Sequence, residues 1–195
     1  MPIRNRSGDA ARPHRVTAQF LAEFPFGKSR PFLNNGGVLS AIVGGWQTGG
    51  TFEYQPGPIL QWSGGAINNV SNIFFYGNLD DIAVDHPTLN RWFNVDAGFE
   101  RDATKAAASF QKRTFPFRVD GVRGPNLMLL NMNFLRTIDL PGRKTAQLRI
   151  DMLNALNRMH YGNPDLNPTS TQFGMITTAP GTIMRFVTFV VKLNF

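Results

Sequence analysis

The chain has 195 residues, 42 % hydrophobic and only 17 % charged, with 20 Lys+Arg against 13 Asp+Glu for a formal net charge of +7; a usual charged share is about 25 %. A mean hydropathy of −0.19 and the lack of any run of about 18 apolar residues exclude a transmembrane helix, but not a membrane barrel, whose strands hide their apolar residues in alternation. The absence of cysteine removes disulfides, thiolate-ligated zinc, iron–sulfur clusters and thiol nucleophiles.

The opening Met1-Pro2-Ile3-Arg4-Asn5-Arg6 runs into polar sequence rather than an apolar h-region, so an export signal, if there is one, is expected elsewhere. The first strand signal follows. Val16, Ala18, Phe20, Ala22 and Phe24 alternate with Arg15, Thr17, Gln19, Leu21 and Glu23 until Pro25-Phe26-Gly27 stops them. Glycine pairs at Gly36-Gly37 and Gly44-Gly45 then flank the apolar stretch Val38 to Val43, which predicts one short helix in a connection. A second strand sets Trp46, Thr48, Gly50, Phe52 and Tyr54 against Gln47, Gly49, Thr51, Glu53 and Gln55, and ends at Pro56-Gly57.

Residues 56–125 form a long connection that carries Trp62, Phe74, Phe75, Tyr76, Trp92 and Phe93. Trp62, Tyr76, Trp92 and Phe93 are candidate ligand contacts, because aromatic faces stack on sugars and apolar ligands. Packing of the loop on itself, or an outer aromatic girdle, accounts for them equally well. Asp80, Asp81, Asp85 and His86 lack the spacing of a calcium loop and read as a solvated face, as does the pair Glu100 and Asp102. Ser63-Gly64-Gly65 reads as a turn, no nucleophile elbow occurs, and His14, His86 and His160 share no metal-ligand spacing. No catalytic residue, metal or cofactor is assigned. Basic residues are scattered singly, so no nucleic-acid partner is expected.

The third strand, Leu127 to Leu140, sets Met128, Leu130, Met132, Phe134, Ile138 and Leu140 against Asn131, Asn133, Thr137 and Asp139. Pro141-Gly142 turns it into a fourth, in which Ala146, Leu148, Ile150, Met152 and Leu156 oppose Thr145, Gln147, Arg149, Asp151 and Asn157. After a second long connection, 158–181, the last strand runs from Thr182 to Phe195, with Ile183, Val187, Phe189, Val191, Leu193 and Phe195 on one face.

Short connections thus alternate with long ones, and about ten residues per strand match what crosses a bilayer with tilt. The pattern predicts an all-β fold: an antiparallel up-and-down transmembrane β-barrel with short periplasmic turns and two long extracellular loops. Arg185 then falls about 23 Å above Phe195, at the opposite interface, and Arg136 roughly 9 Å from the lower rim, where both can snorkel. Bacterial single-chain barrels have even strand numbers. Five strands therefore mean either another strand hidden in the long loop or a piece of a larger barrel.

Taken together the segments resemble the C-terminal end of a TonB-dependent outer-membrane receptor, of the Oar-like group with a carboxypeptidase-regulatory-like domain. The resemblance rests on Phe24-Pro25-Phe26-Gly27-Lys28, Gly44-Gly45-Trp46-Gln47, Gly57-Pro58, Arg91-Trp92-Phe93-Asn94 and Arg123-Gly124-Pro125-Asn126. It continues through Leu153-Asn154-Ala155-Leu156-Asn157, Gly162-Asn163-Pro164, Phe173-Gly174 and the closing Phe195, with Leu153 and Leu156 standing where the family has Phe. The resemblance implies a barrel of about 22 strands, of which 1–195 would be the C-terminal fragment with no plug, TonB box or signal peptide. It also implies uptake of a bulky nutrient such as a siderophore, glycan or peptide, with TonB engaged through upstream regions. Outer-membrane lipid surrounds such a strand set, and Phe195 would be the signal read by the barrel-assembly machinery. The alternatives are a small self-standing outer-membrane barrel with an adhesin or structural role, and a soluble β-sandwich whose second sheet would cover Val187, Phe189, Val191 and Leu193.

Overall fold

Alternating side chains can satisfy two environments at once only if the strands pair in a register that keeps each kind on its own side. The computed structural model, which describes residues 12, 14–62, 73–105, 114–179 and 184–195, shows such a register. Five strands, β1 (Val16–Glu23), β2 (Trp46–Gln55), β3 (Leu127–Leu140), β4 (Lys144–Leu153) and β5 (Phe186–Asn194), form one antiparallel sheet in chain order. The sheet is open, with β1 and β5 at its edges.

The pairing joins Ala18 to Phe52, Phe52 to Leu130, Phe134 to Ile150 and Ile150 to Phe189, so most apolar residues of the five strands share one face. On the other face Thr17 meets Glu53, Thr51 meets Asn131, Asn133 meets Asp151 and Gln147 meets Lys192. The turn after β3 has Gly142 and Arg143 at φ 82° and 62°, a conformation that glycine adopts freely. The expected short helix is present as α1 (Val38–Val43) in the connection between β1 and β2.

Two boundaries differ from the sequence reading by more than one residue. β4 stops at Leu153, short of the expected Leu156 and Asn157, because Asn154 takes φ 48° and turns the chain out of the sheet. β5 begins at Phe186, and Thr182 and Ile183 lie outside the described residues, as do Met1 to Arg6 and the Ser63-Gly64-Gly65 turn.

The chain divides into two compact units, the sheet unit (Arg15–Gln55, Leu127–Met159, Ile183–Phe195) and a loop unit (Met1–His14, Pro56–Asn126, His160–Thr182). Every buried apolar side chain among the described residues belongs to the loop unit. The sheet unit has none, and its buried polar residues are Ser40 and Asn154. Among the described residues no helix is long and apolar enough to cross a membrane.

Candidate functional site

A sheet whose apolar face lacks a core is the first functional feature. Phe189 is 74 % exposed, and Val191, Leu193, Phe20 and Val16 are exposed with it. A side chain of this kind left in water forgoes about 1.5–3 kcal/mol, so the face requires an apolar surrounding. The single sheet among the described residues supplies no covering layer for Phe189, Val191 and Leu193, which corrects the β-sandwich alternative. The opposite face is mostly polar, with Leu21, Leu129, Leu135 and Val190 among its polar residues, and carries ion pairs, Arg15 to Glu53 at 2.9 Å and Arg149 to Asp151 at 2.8 Å.

The connections differ at the two ends of the sheet. At the end of Glu23, Gln47, Leu140 and Lys144 the chain turns through 24–45 and 141–143. The first of these turns closes by backbone approach: Gly27 has φ 111°, and a Cβ on it would stand 2.8 Å from the Gly44 Cα. Two glycines of the Phe-Gly-Lys and Gly-Gly-Trp motifs are therefore one contact. At the other end, β4 leaves through Asn154, whose side-chain Oδ1 accepts from the Arg158 N–H while its Nδ2 donates to the Arg158 carbonyl, both at 3.0 Å. The Asn157 Oδ1 accepts from the Arg185 N–H at 3.2 Å, tying the departing chain to the returning one.

The loop unit is built around aromatic rings. Trp62 stacks on Phe99 with centroids 5.3 Å apart and planes 12° from parallel, and meets Phe93, Phe115 and Phe173 edge-on at 4.8, 5.5 and 6.3 Å. Main-chain bonds bring these segments together: the Trp62 N–H donates to Phe117, Trp92 to Gly174 and Ile176 to Leu89. Phe173 and Gly174 come from the second long insertion, so both insertions share one core. Each aromatic pair adds about 0.5–1.5 kcal/mol beyond its area.

This arrangement separates the four candidate ligand contacts. Trp62 and Phe93 are fully buried: the packing role is the one the structure gives them, and neither presents a face to a ligand. Trp92 is partly buried against the same core, and its indole N–H donates to the Arg123 carbonyl at 2.6 Å. Tyr76 is 74 % exposed and is the one with ring surface open to solution. Sequence reasoning had no signal for this division, which depends on contacts across more than a hundred residues. Asp102, from the expected solvated pair, accepts from the Thr104 hydroxyl at 2.7 Å and its N–H at 2.9 Å, which hold its carboxyl below the usual range. Phe195, after β5, is exposed, with the Lys144 ammonium 5.4 Å from its ring centroid.

Residues 4–187 match the family described as Outer membrane beta barrel domain. No curated protein and no solved structure matches the chain.

Proposed function

Because the chain belongs to the outer membrane beta-barrel domain family, and so is a protein of the outer membrane, we propose that it forms part of the barrel wall of a TonB-dependent receptor of the Oar-like group. Its five strands contribute wall, and the loop unit contributes the surface that first meets a bulky nutrient. The work is binding and passage, not catalysis, and needs no cofactor, metal or nucleic acid. Energy reaches the barrel through TonB and a region that would lie upstream of these residues.

One observation carries this reading: the two long insertions fold around a shared aromatic core, as a preorganised recognition surface requires. The motif order from Phe24 to Phe195 supports the choice of receptor group. Among the described rings of the loop unit Tyr76 is the most exposed and so the most available to a ligand, and the barrel-assembly machinery is the partner for β5 and Phe195.

The same core also favours a second reading, a small self-standing barrel that displays the loop unit as an adhesin. An antibody against the C-terminal peptide, used on fractionated membranes, distinguishes the two. An outer-membrane band several times larger than 21.7 kDa, together with nutrient uptake lost on deleting TonB, is the expected result. A band near 21.7 kDa with uptake indifferent to TonB overturns the receptor reading in favour of the self-standing barrel.

A further inference from the structure

The connection between β1 and β2 is built unlike a plain turn. α1 buries only Ser40, whereas Val38, Leu39 and Ile42 are 78, 65 and 61 % exposed. Six residues are far too few for a helix to persist alone in water, where about 12–15 are marginal. What holds α1 comes from the apolar face of the sheet. Arg136 and Trp46 are cross-strand partners on that face. The Arg136 guanidinium donates to the Ala41 carbonyl and, at 2.7 Å, to the Ile42 carbonyl, and the Trp46 indole N–H reaches the Ile42 carbonyl at 3.0 Å. The helix is thus fastened by its C-terminal carbonyls to the side of the sheet that meets lipid.

Its surroundings have the composition of a membrane boundary. Phe24 meets Phe134 and Phe26 edge-on at 6.4 Å, and Phe26 meets Phe32 at 5.9 Å. Residues 24–45 contain Lys28 and Arg30 with no Asp or Glu, although Arg30 pairs with Glu23 at the end of β1, and the neighbouring 141–144 turn contains Arg143 and Lys144, again with no acid. An apolar helix face ringed by aromatic and basic residues is what binds the headgroup–acyl boundary of an anionic leaflet.

We propose that the 24–45 connection is a membrane-interface anchor, with Val38, Leu39 and Ile42 among the acyl chains and Lys28, Arg143 and Lys144 of the two turns facing anionic phospholipid headgroups. The proposal rests on the reading that the apolar face meets lipid, and it gives Arg136 a purpose on that face: it carries the helix at the interface.

The cysteine-free sequence allows a clean test. Leu39→Cys and, as a second probe, Ile42→Cys are labelled with an environment-sensitive fluorophore in isolated outer membranes, with Phe189→Cys as the lipid-facing reference. Phospholipids bearing a nitroxide near the glycerol end are then added. Loss of most of the fluorescence at both α1 positions, greater with nitroxide phosphatidylglycerol than with nitroxide phosphatidylcholine, and protection from aqueous iodide are expected. Iodide quenching without nitroxide quenching at α1, while Phe189→Cys is quenched by lipid, overturns the anchor and leaves the barrel standing. Equal quenching by the two phospholipids overturns the role given to the basic residues. Iodide quenching at all three positions overturns the anchor together with the lipid-facing reading beneath it.

Discussion

Asn154 concentrates three requirements in one residue. Its φ of 48° suits asparagine better than most residues, its amide satisfies both polar groups of the Arg158 backbone, and its own N–H donates to the Asn131 Oδ1 at 3.0 Å. Asn154→Ala removes two of these buried hydrogen bonds and is expected to cost about 1–3 kcal/mol, read as a lower urea midpoint of the folded protein in detergent. Asp102 works by charge at an exposed site. Its carboxylate is favoured in the folded chain first by the Thr104 hydroxyl and then by the Thr104 N–H, so its folded pKa lies below the unfolded one. The contribution is therefore complete above the ordinary carboxylate range and lost as pH falls through the depressed value. Protection of the Thr104 amide from hydrogen exchange should follow that curve, and Asp102→Ala should abolish it at neutral pH.

At the scale of elements, periodicity was the legible quantity. Alternation of period two placed β2 and β3 at the residues where they are found, Trp46–Gln55 and Leu127–Leu140, and the flanking glycines bounded α1 at Val38–Val43. The overrun at β4 has a physical cause: Leu156 and Asn157 continue the pattern in sequence, but the left-handed Asn154 has already ended the pairing, a backbone event that hydropathy does not register. Likewise Arg136 interrupts an apolar face for a reason visible only in three dimensions, since its partners lie 94 and 95 residues away. The two faces make opposite predictions for neighbouring positions of β5. Phe189→Arg, on the apolar face, should cost about 2–4 kcal/mol near the bilayer centre and reduce the heat-modifiable folded band on a gel. Thr188→Arg, on the polar face opposite Asp151, should leave that band unchanged.

For the molecule as a whole, apolar side chains are spent in two separate ways, on a sheet that leaves them outside and on a loop unit that buries them. The sequence marked the aromatic residues of the loop but not their destination, because Trp62 and Phe173 become neighbours through tertiary contacts alone. Trp62→Ala opens the centre of the ring cluster and is expected to cost the loop unit about 3–5 kcal/mol. Limited proteolysis should then cut within both 56–126 and 160–182 while β3 and β4 stay protected; cleavage confined to one of the two insertions would refute a shared core.

The strand count among the described residues has a further consequence, one of parity. In an antiparallel sheet of five strands the two edge strands, β1 and β5, run in the same direction. Copies related by rotation about the membrane normal would bring β5 of one against β1 of the next as a parallel pair, so this sheet cannot tile with itself into a wholly antiparallel cylinder. A wall that closes it to an even total must add an odd number of strands, whose first and last members both run opposite to β1 and β5. Handedness of direction, rather than sequence at the edges, selects what can complete the ring.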